Sequence, residues 1–186
     1  MNETIKTIHA RRSIRFYKDT QVSEADVAAI LECAVLSPTG KGKQPWHFTV
    51  VRDRTLLDAI TAGNKRLALE SGDEEEIKKV SEPGFDNFRG APVVIIVSME
   101  DGQIYGEVDC ACATTVMALA ACSLGIDSCF IASFRDMLWH PSGKDCLDRL
   151  ALPAGYTPVF ALSLGYAAEE PHARRPRREG TVNYVG

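Results

Sequence analysis

Three arginines and a hydroxyl fall within five residues near the start of the chain, in Arg11-Arg12-Ser13-Ile14-Arg15. Guanidinium groups are permanently charged, forked donors that match phosphate oxygens, and a serine hydroxyl adds a short neutral donor. Gathering such charge in a protein of formal net charge −4 is unfavourable unless an anion neutralises it. The same residues also suit a plainer role, because a basic helix end complements the helix dipole and makes surface ion pairs. On the cluster alone, both readings stand. A second segment, Ser37-Pro38-Thr39-Gly40-Lys41-Gly42-Lys43-Gln44-Pro45-Trp46, combines glycines that permit close backbone approach with two lysines able to face an anion. It lacks the G-x-x-x-x-G-K-[ST] spacing of a P-loop, and G-x-G-x-x-G is absent from the chain, so neither nucleotide fingerprint supports it. By itself it reads as an ordinary loop.

These residues need elements to hold them. Asn2 caps a short helix carrying Ile5 and Ile8 that runs out near Arg11, which puts the arginines at its end. Ser23-Glu24-Ala25-Asp26 resembles a capping box, and Val27, Ile30, Leu31 and Ala34 follow on one helical face until Pro38 and Gly40 stop it. Phe48 to Val51 reads as a strand and Thr55 to Glu70 as a helix, with Asp73 to Glu76 a solvated acidic face. The β-branched run Pro92 to Val97 is a strand covered on both sides. A long helix from about Glu107 to Leu124 is apolar nearly all round and belongs at the centre, with Gly125 as the residue that ends it. Cys129 to Ala132 and Pro158 to Leu162 are two further short strands, and Ser142 to Asp145 opens a short helix between them. After Gly165 the chain is rich in Pro, Arg and Glu. It ends in Thr181-Val182-Asn183-Tyr184-Val185, a strand-like run suited to another sheet edge, a partner subunit's included.

The chain has 186 residues, 45% of them hydrophobic, 25% charged and 8% aromatic, which is enough for one globular domain with a sizeable core. Collagen-like, disordered and disulfide-scaffold classes are excluded. The mildly acidic balance argues against a general binder of nucleic acid or anionic membranes. Cys33, Cys110, Cys112, Cys122, Cys129 and Cys146 show no C-x-x-C spacing and read as small apolar filler, while His47 and His140 read as structural. No metal site is expected. The first residues lack the basic-then-apolar order of a signal peptide, and the longest uncharged run, Cys110 to Ile126, is a buried helix rather than a membrane span. The expected location is the cytoplasm, with reduced thiols.

Five segments in order carry a resemblance: RRSIRFY, SPTGKGKQPWHFTVV, GAPVVIIV, LGIDSCFIASF and PVFALSLGY followed by an Arg-rich arm. Together they resemble the nitroreductase family of FMN-dependent oxidoreductases over essentially the whole chain. The resemblance implies an α+β fold, a three-layer sandwich whose central, mostly antiparallel sheet is flanked by helices. It implies a domain over 1–168 and an arm over 169–186 that extends onto the partner of a homodimer, with FMN at the interface.

Residue by residue, the resemblance gives Arg11 and Ser13 the FMN phosphate, Arg12 the phosphate or ribityl chain, and Arg15 the N1/O2 side of the ring. A fixed cation at N1/O2 favours the reduced flavin, which tends to carry negative charge there. Pro38, Thr39, Gly40 and Gly42 would reach the flavin from the other subunit, Gly42 standing where the family often has Asn. Ile131, Ala132 and Ser133 match a segment whose backbone faces N5, and Asn64 matches an amide that reads the pyrimidine edge. Arg174, with Arg175 adjacent, matches a second phosphate contact, and His172 stands where Lys is frequent. No side chain is assigned a catalytic role, because the cofactor performs the bond chemistry. NADH or NADPH would deliver a hydride to N5, and a small oxidising substrate such as a nitroaromatic or quinone would then accept the reducing equivalents. Alternatives are a flavin-binding regulatory module without turnover and a specialised enone reductase or dehalogenase of the same family. The short, acidic 63–90 region points away from a large substrate lid. A third alternative makes HARRPRR a nucleic-acid-binding or targeting tail, which the net charge opposes.

Overall fold

Local signals start most of the helices in the computed structural model, which describes residues 1–171 and 173–186. Asn2 Oδ1 accepts from Ile5 N at 3.0 Å and begins α1 (Glu3–Ala10). Ser23 Oγ accepts from Asp26 N at 3.0 Å and donates to the Asp26 carboxylate at 2.6 Å, so the N-cap half of the box opens α2 (Glu24–Ala34) while the aspartate, shorter than the usual Glu, takes the hydroxyl instead of the backbone N–H. Asp53 caps α3 (Arg54–Glu70) and Asp73 caps α4 (Glu74–Val80). The central helix α5 (Gly106–Ser123) ends where Gly125 turns to φ +74° and Ile126 N bonds back to Ala121 O.

Strands β1 (Trp46–Val51), β2 (Val93–Glu100), β3 (Asp127–Ile131) and β4 (Tyr156–Gly165) form one sheet in the order β1-β2-β4-β3, every pair antiparallel. Alternation along β2 divides the core into two layers. Val93, Ile95 and Val97 pack with Ile30, Ala34, Ala113, Met117 and Ala121 of α2 and α5. Val94 and Ile96 face the other way, onto Leu56, Leu57 and Ile60 of α3 together with Phe134 and Met137. The short helices α6 (Arg135–Trp139) and α7 (Lys144–Arg149) complete that second layer. The result is the expected three-layer α+β sandwich.

Three segments go beyond the sequence expectations. Thr181–Val185 forms no strand within the chain; Val182, Tyr184 and Val185 stay exposed, because no edge of the chain's own sheet takes them up. The acidic run is itself a helix, α4, since three glutamates in its first turn and Lys78 and Lys79 in its last complement its dipole. Helix α6 has no local capping signal, its N-cap being Phe134; burial of Met137 and Leu138 and a distant acceptor, Asn64 Oδ1 on Met137 N, define it.

The link from α4 to β2 is held by one carboxylate. Asp86 accepts from Phe88 N at 2.8 Å, Gly90 N at 2.7 Å, Arg54 Nη2 at 2.8 Å and Thr61 Oγ1 at 3.1 Å. Burial alone would raise its pKa, but the backbone donors and Arg54 overrule it and hold the carboxyl below the usual range. A depressed pKa means stability that is complete above the unfolded carboxyl value of about 3.9 and lost as pH falls through the folded one. Asp86→Asn is therefore expected to lower unfolding free energy by about 1.5–3 kcal/mol at pH 7 in urea titrations. The gap from the parent should narrow as pH drops below about 4; a gap independent of pH would exclude this role.

Candidate functional site

The residues after α1 are stitched to the sheet. Ser13 bridges Ser128 of β3 and Ile14 N donates to Ser128 O at 3.0 Å, while Lys18 N and Ala168 N bind the stretch to the backbone after β4. Ile14 is buried between Ser13 and Arg15, which are exposed, so extended backbone turns the polar pair outward on the same side. Tyr17 closes the segment beneath. Its hydroxyl donates to Ile14 O at 3.0 Å, and its ring lies so near Gly165 that a Cβ there would come within 2.7 Å of it. Burial, with Cys129 and Asp127 nearby, raises the Tyr17 pKa and keeps the phenol neutral.

The arm returns to this place from the far end of the sequence. Arg174 Nη2 donates to Arg11 O at 2.9 Å and to His9 O, capping the negative end of α1. Arg11, Arg12, Ser13 and Arg15 then face Ala173, Arg174, Arg175 and Arg177 across an open cavity of about 740 Å³. Six guanidinium groups and a hydroxyl line it, and no carboxylate does among the described residues. His172, where a lysine would be usual, lies outside the described residues.

A second cavity, about 450 Å³, opens at the other end of β3, between α3, α4 and the 132–136 turn. Asn64, Ala132 and Ser133 line it, with Asn87, Arg135 and carboxylates from Asp73, Glu76 and Asp136. Ser128 and Ser133 are five residues apart, so β3 separates the two places by about 16 Å. Ile131 is buried in the core and offers this region only its backbone. The Asn64 amide is engaged inside the protein: it donates to Ser133 O and to Asn87 Oδ1 at 3.3 Å, and accepts from Met137 N at 3.1 Å. Asn87 donates to Ser133 O as well, at 3.2 Å. Two asparagines thus clamp the Ser133 turn, and Asn64 is placed to shape it. Sequence reasoning passed over Asn87; its signal was a polar residue inside the apolar-flanked Phe85-Asp86-Asn87-Phe88 turn.

Pro38, Thr39, Gly40 and Gly42 join neither cavity. They form a separate loop with a single 3-10 turn at Gly40–Gly42, where Lys41, Gly42 and Gln44 all take positive φ (57°, 67° and 49°). A left-handed position accepts glycine with least strain, which suits Gly42. The anchor is another residue that sequence reasoning missed. Asp109, buried in the first turn of α5, receives Gly40 N on both carboxylate oxygens at 3.1 Å. Tyr105 lies against Gly40 so closely that a Cβ would come within 2.9 Å of its ring.

Three of the six cysteines are poorly poised for chemistry. Cys110, Cys129 and Cys146 are buried, and burial raises the pKa of all three, that of Cys110 to about 12. Among the described residues no cluster of His, Cys, Asp and Glu is arranged to hold a metal, and no helix is long and apolar enough to cross a membrane.

An α+β sandwich with a cation-lined cavity beside one sheet edge and a clamped turn at the same strand's far end defines a class that comparison identifies. The nitroreductase family model matches residues 8–166, and the chain belongs to that family. An Archaeoglobus fulgidus protein named "Putative NADH dehydrogenase/NAD(P)H nitroreductase" is 31% identical over 91% of this chain and 88% of its own. A Nocardioides 4-nitrobenzoate reductase is 28% identical, covering 86% of this chain and 78% of its own. A nitroreductase with bound FMN from Bacteroides fragilis superposes with TM-score 0.91 at 33% identity, both chains fully covered. Another with bound FMN, from Desulfitobacterium hafniense, gives 0.90 at 30%, again over both whole chains.

Removing the Asp109 anchor leaves Gly40 N without its partner, at an expected cost of about 1–3 kcal/mol. Asp109→Ala should therefore speed tryptic cleavage after Lys41 and Lys43 severalfold in native protein, whereas Asp109→Asn, which keeps an acceptor, should cleave near the parent rate. Equal cleavage of all three proteins would show that the loop is held by other means.

Proposed function

We propose that the chain is an FMN-dependent oxidoreductase that takes reducing equivalents from NADH or NADPH and passes them to small electrophilic acceptors such as nitroaromatics or quinones. The observation that carries this reading is the arginine cavity, a doubly anionic monoester site by its chemistry, in a chain whose structural relatives hold FMN. The donor set fits the cofactor. Arg11 and Ser13 present a charged fork and a hydroxyl to a phosphate, and Arg174 stands opposite, already fixed by the α1 carbonyls. When bound, FMN supplies the hydride-transfer chemistry that the protein's own side chains lack.

The chain's residues bind and orient. Arg15 is held along the segment by Nη1 donating to Ser13 O at 3.4 Å, and as a fixed cation it favours a reduced, negatively charged ring. The clamped Ala132–Ser133 backbone is the group assigned to the N5 edge, and Asn64 and Asn87 keep it from drifting. The adjoining 450 Å³ cavity, closed on one side by α4, is the place assigned to the oxidising substrate.

The loop over 38–42 stands apart from both cavities, and it is assigned to the flavin of a second copy. Exposed apolar surface supports a homodimer. On α5, Val108, Cys112, Thr115 and Leu119 share one helical face that the single chain leaves partly uncovered. Leu36 and Ile104 are exposed as well, 79% and 90%. The apolar run at 181–185, unpaired at home, is assigned to the partner, in an arm exchanged between copies.

Protein as purified should be yellow, with flavin absorbance bleached by anaerobic NADH or NADPH. Arg11→Ala should weaken FMN binding by about 1.5–3 kcal/mol, roughly ten- to a hundredfold in dissociation constant. A colourless protein that ignores added FMN, or full flavin retention by the variant on dialysis, would contradict the assignment.

A further inference from the structure

The second cavity offers an incoming molecule an apolar body and two carboxylates that stand outside any ion pair. Leu67, Val80, Phe85 and Ala132 give it surface for a flat ring, and its volume of about 450 Å³ suits a small molecule. Two cations line it, and both are committed. Lys79 Nζ lies 2.9 and 3.0 Å from the two carboxylate oxygens of Glu76, one turn before it on α4. Arg135 Nη1 donates to Glu107 at 2.9 Å, and its guanidinium lies 4.7 Å from the centroid of the Trp139 ring. Glu76 is thus matched within the lining, whereas Asp73 and Asp136 are in no ion pair among the described residues. Asp73 Oδ1 accepts from Glu75 N at 2.9 Å and Glu76 N at 3.2 Å, the first donors of α4. The exposed Asp136 side chain has no such donors among the described residues.

A carboxylated molecule entering this space gives up hydration, finds both cations taken and meets like charge. A neutral one meets no such repulsion, and a cation gains a partner. Resting on the assignment of this cavity to the oxidising substrate, we propose that it selects aromatic acceptors by charge, taking neutral and cationic ones ahead of carboxylated ones, and that Asp136 sets the preference. Of the two carboxylates, Asp73 is partly answered by the backbone of α4. Asp136 is not, and it follows the clamped Ser133 by three residues, which places it beside the turn assigned to the flavin.

The test is equilibrium dialysis of the oxidised protein as purified, without NADH or NADPH, against 4-nitrobenzoate, 4-nitrobenzyl alcohol and (4-nitrobenzyl)trimethylammonium at low salt. The parent should bind the alcohol and the ammonium compound about fivefold or more tightly than the carboxylate, with the gap shrinking as salt is raised. Asp136→Asn should close most of that gap, and Asp136→Lys should reverse the order of the carboxylate and the ammonium compound. Glu32→Gln removes an exposed carboxylate on α2, outside the cavity lining, and changes net charge as Asp136→Asn does. It should leave the ratios within about twofold of the parent. Equal binding of all three compounds by the parent, or a preference unaltered in both Asp136 variants, would overturn the proposal. So would a change in Glu32→Gln as large as in Asp136→Asn, since overall charge would then be responsible. A yellow protein bleached by NADH but without the preference defeats this proposal alone. A colourless protein that takes up no FMN yet shows the preference supports it and defeats the cofactor reading.

Discussion

Guanidinium groups that face one another across open solvent repel, so a cluster of them persists only where backbone forces hold it. Here the forces are the Ser13–Ser128 bridge on one wall and the Arg174 contact with the α1 carbonyls on the other. The first uses the unpaired edge of β3. The second uses the negative end of a helix, so that Arg174 is stabilised by the protein itself. What remains is a preorganised cluster of cations, which the proposed reading gives to a phosphate. Arg11 and Arg174 are 163 residues apart in sequence, and the sandwich exists, in this respect, to bring them together.

Strand β3 connects that cluster to the second cavity. Its first half pairs with the arginine segment, and it leads into the turn clamped by Asn64 and Asn87. Antiparallel pairing with β4, itself at the centre of the sheet, makes β3 a stiff ruler between the two places. The loop at 38–42 is fixed to a different body, the first turn of α5, through Asp109. The arginine segment, the clamped turn and this loop thus rest on three separate supports.

Much of this was legible in the residues. Ser23 with Asp26, the apolar α5, Gly125 and the β-branched run of β2 are local signals, each determined within a few positions, and the structure realises them. The arginine cluster and the arm were legible as charge, and family likeness supplied their pairing. Helix α6 was not legible because burial of Met137 and Leu138 and the distant Asn64 amide, and not a local cap, define it. The internal duty of the Asn64 amide, the Asp109 anchor and the Asn87 clamp were hidden for the same reason. Each is a contact between residues far apart in the chain, and a lone Asn or Asp in a helix carries no mark of its distant partner.

The most direct measurement compares FMN with riboflavin, which has the same ring but no phosphate, in fluorescence titrations of flavin-free protein at fixed salt. The charged cavity predicts that FMN binds at least a hundredfold more tightly, about 2.7 kcal/mol, with the difference shrinking as salt is raised. Equal affinities, insensitive to salt, would contradict the account at its foundation.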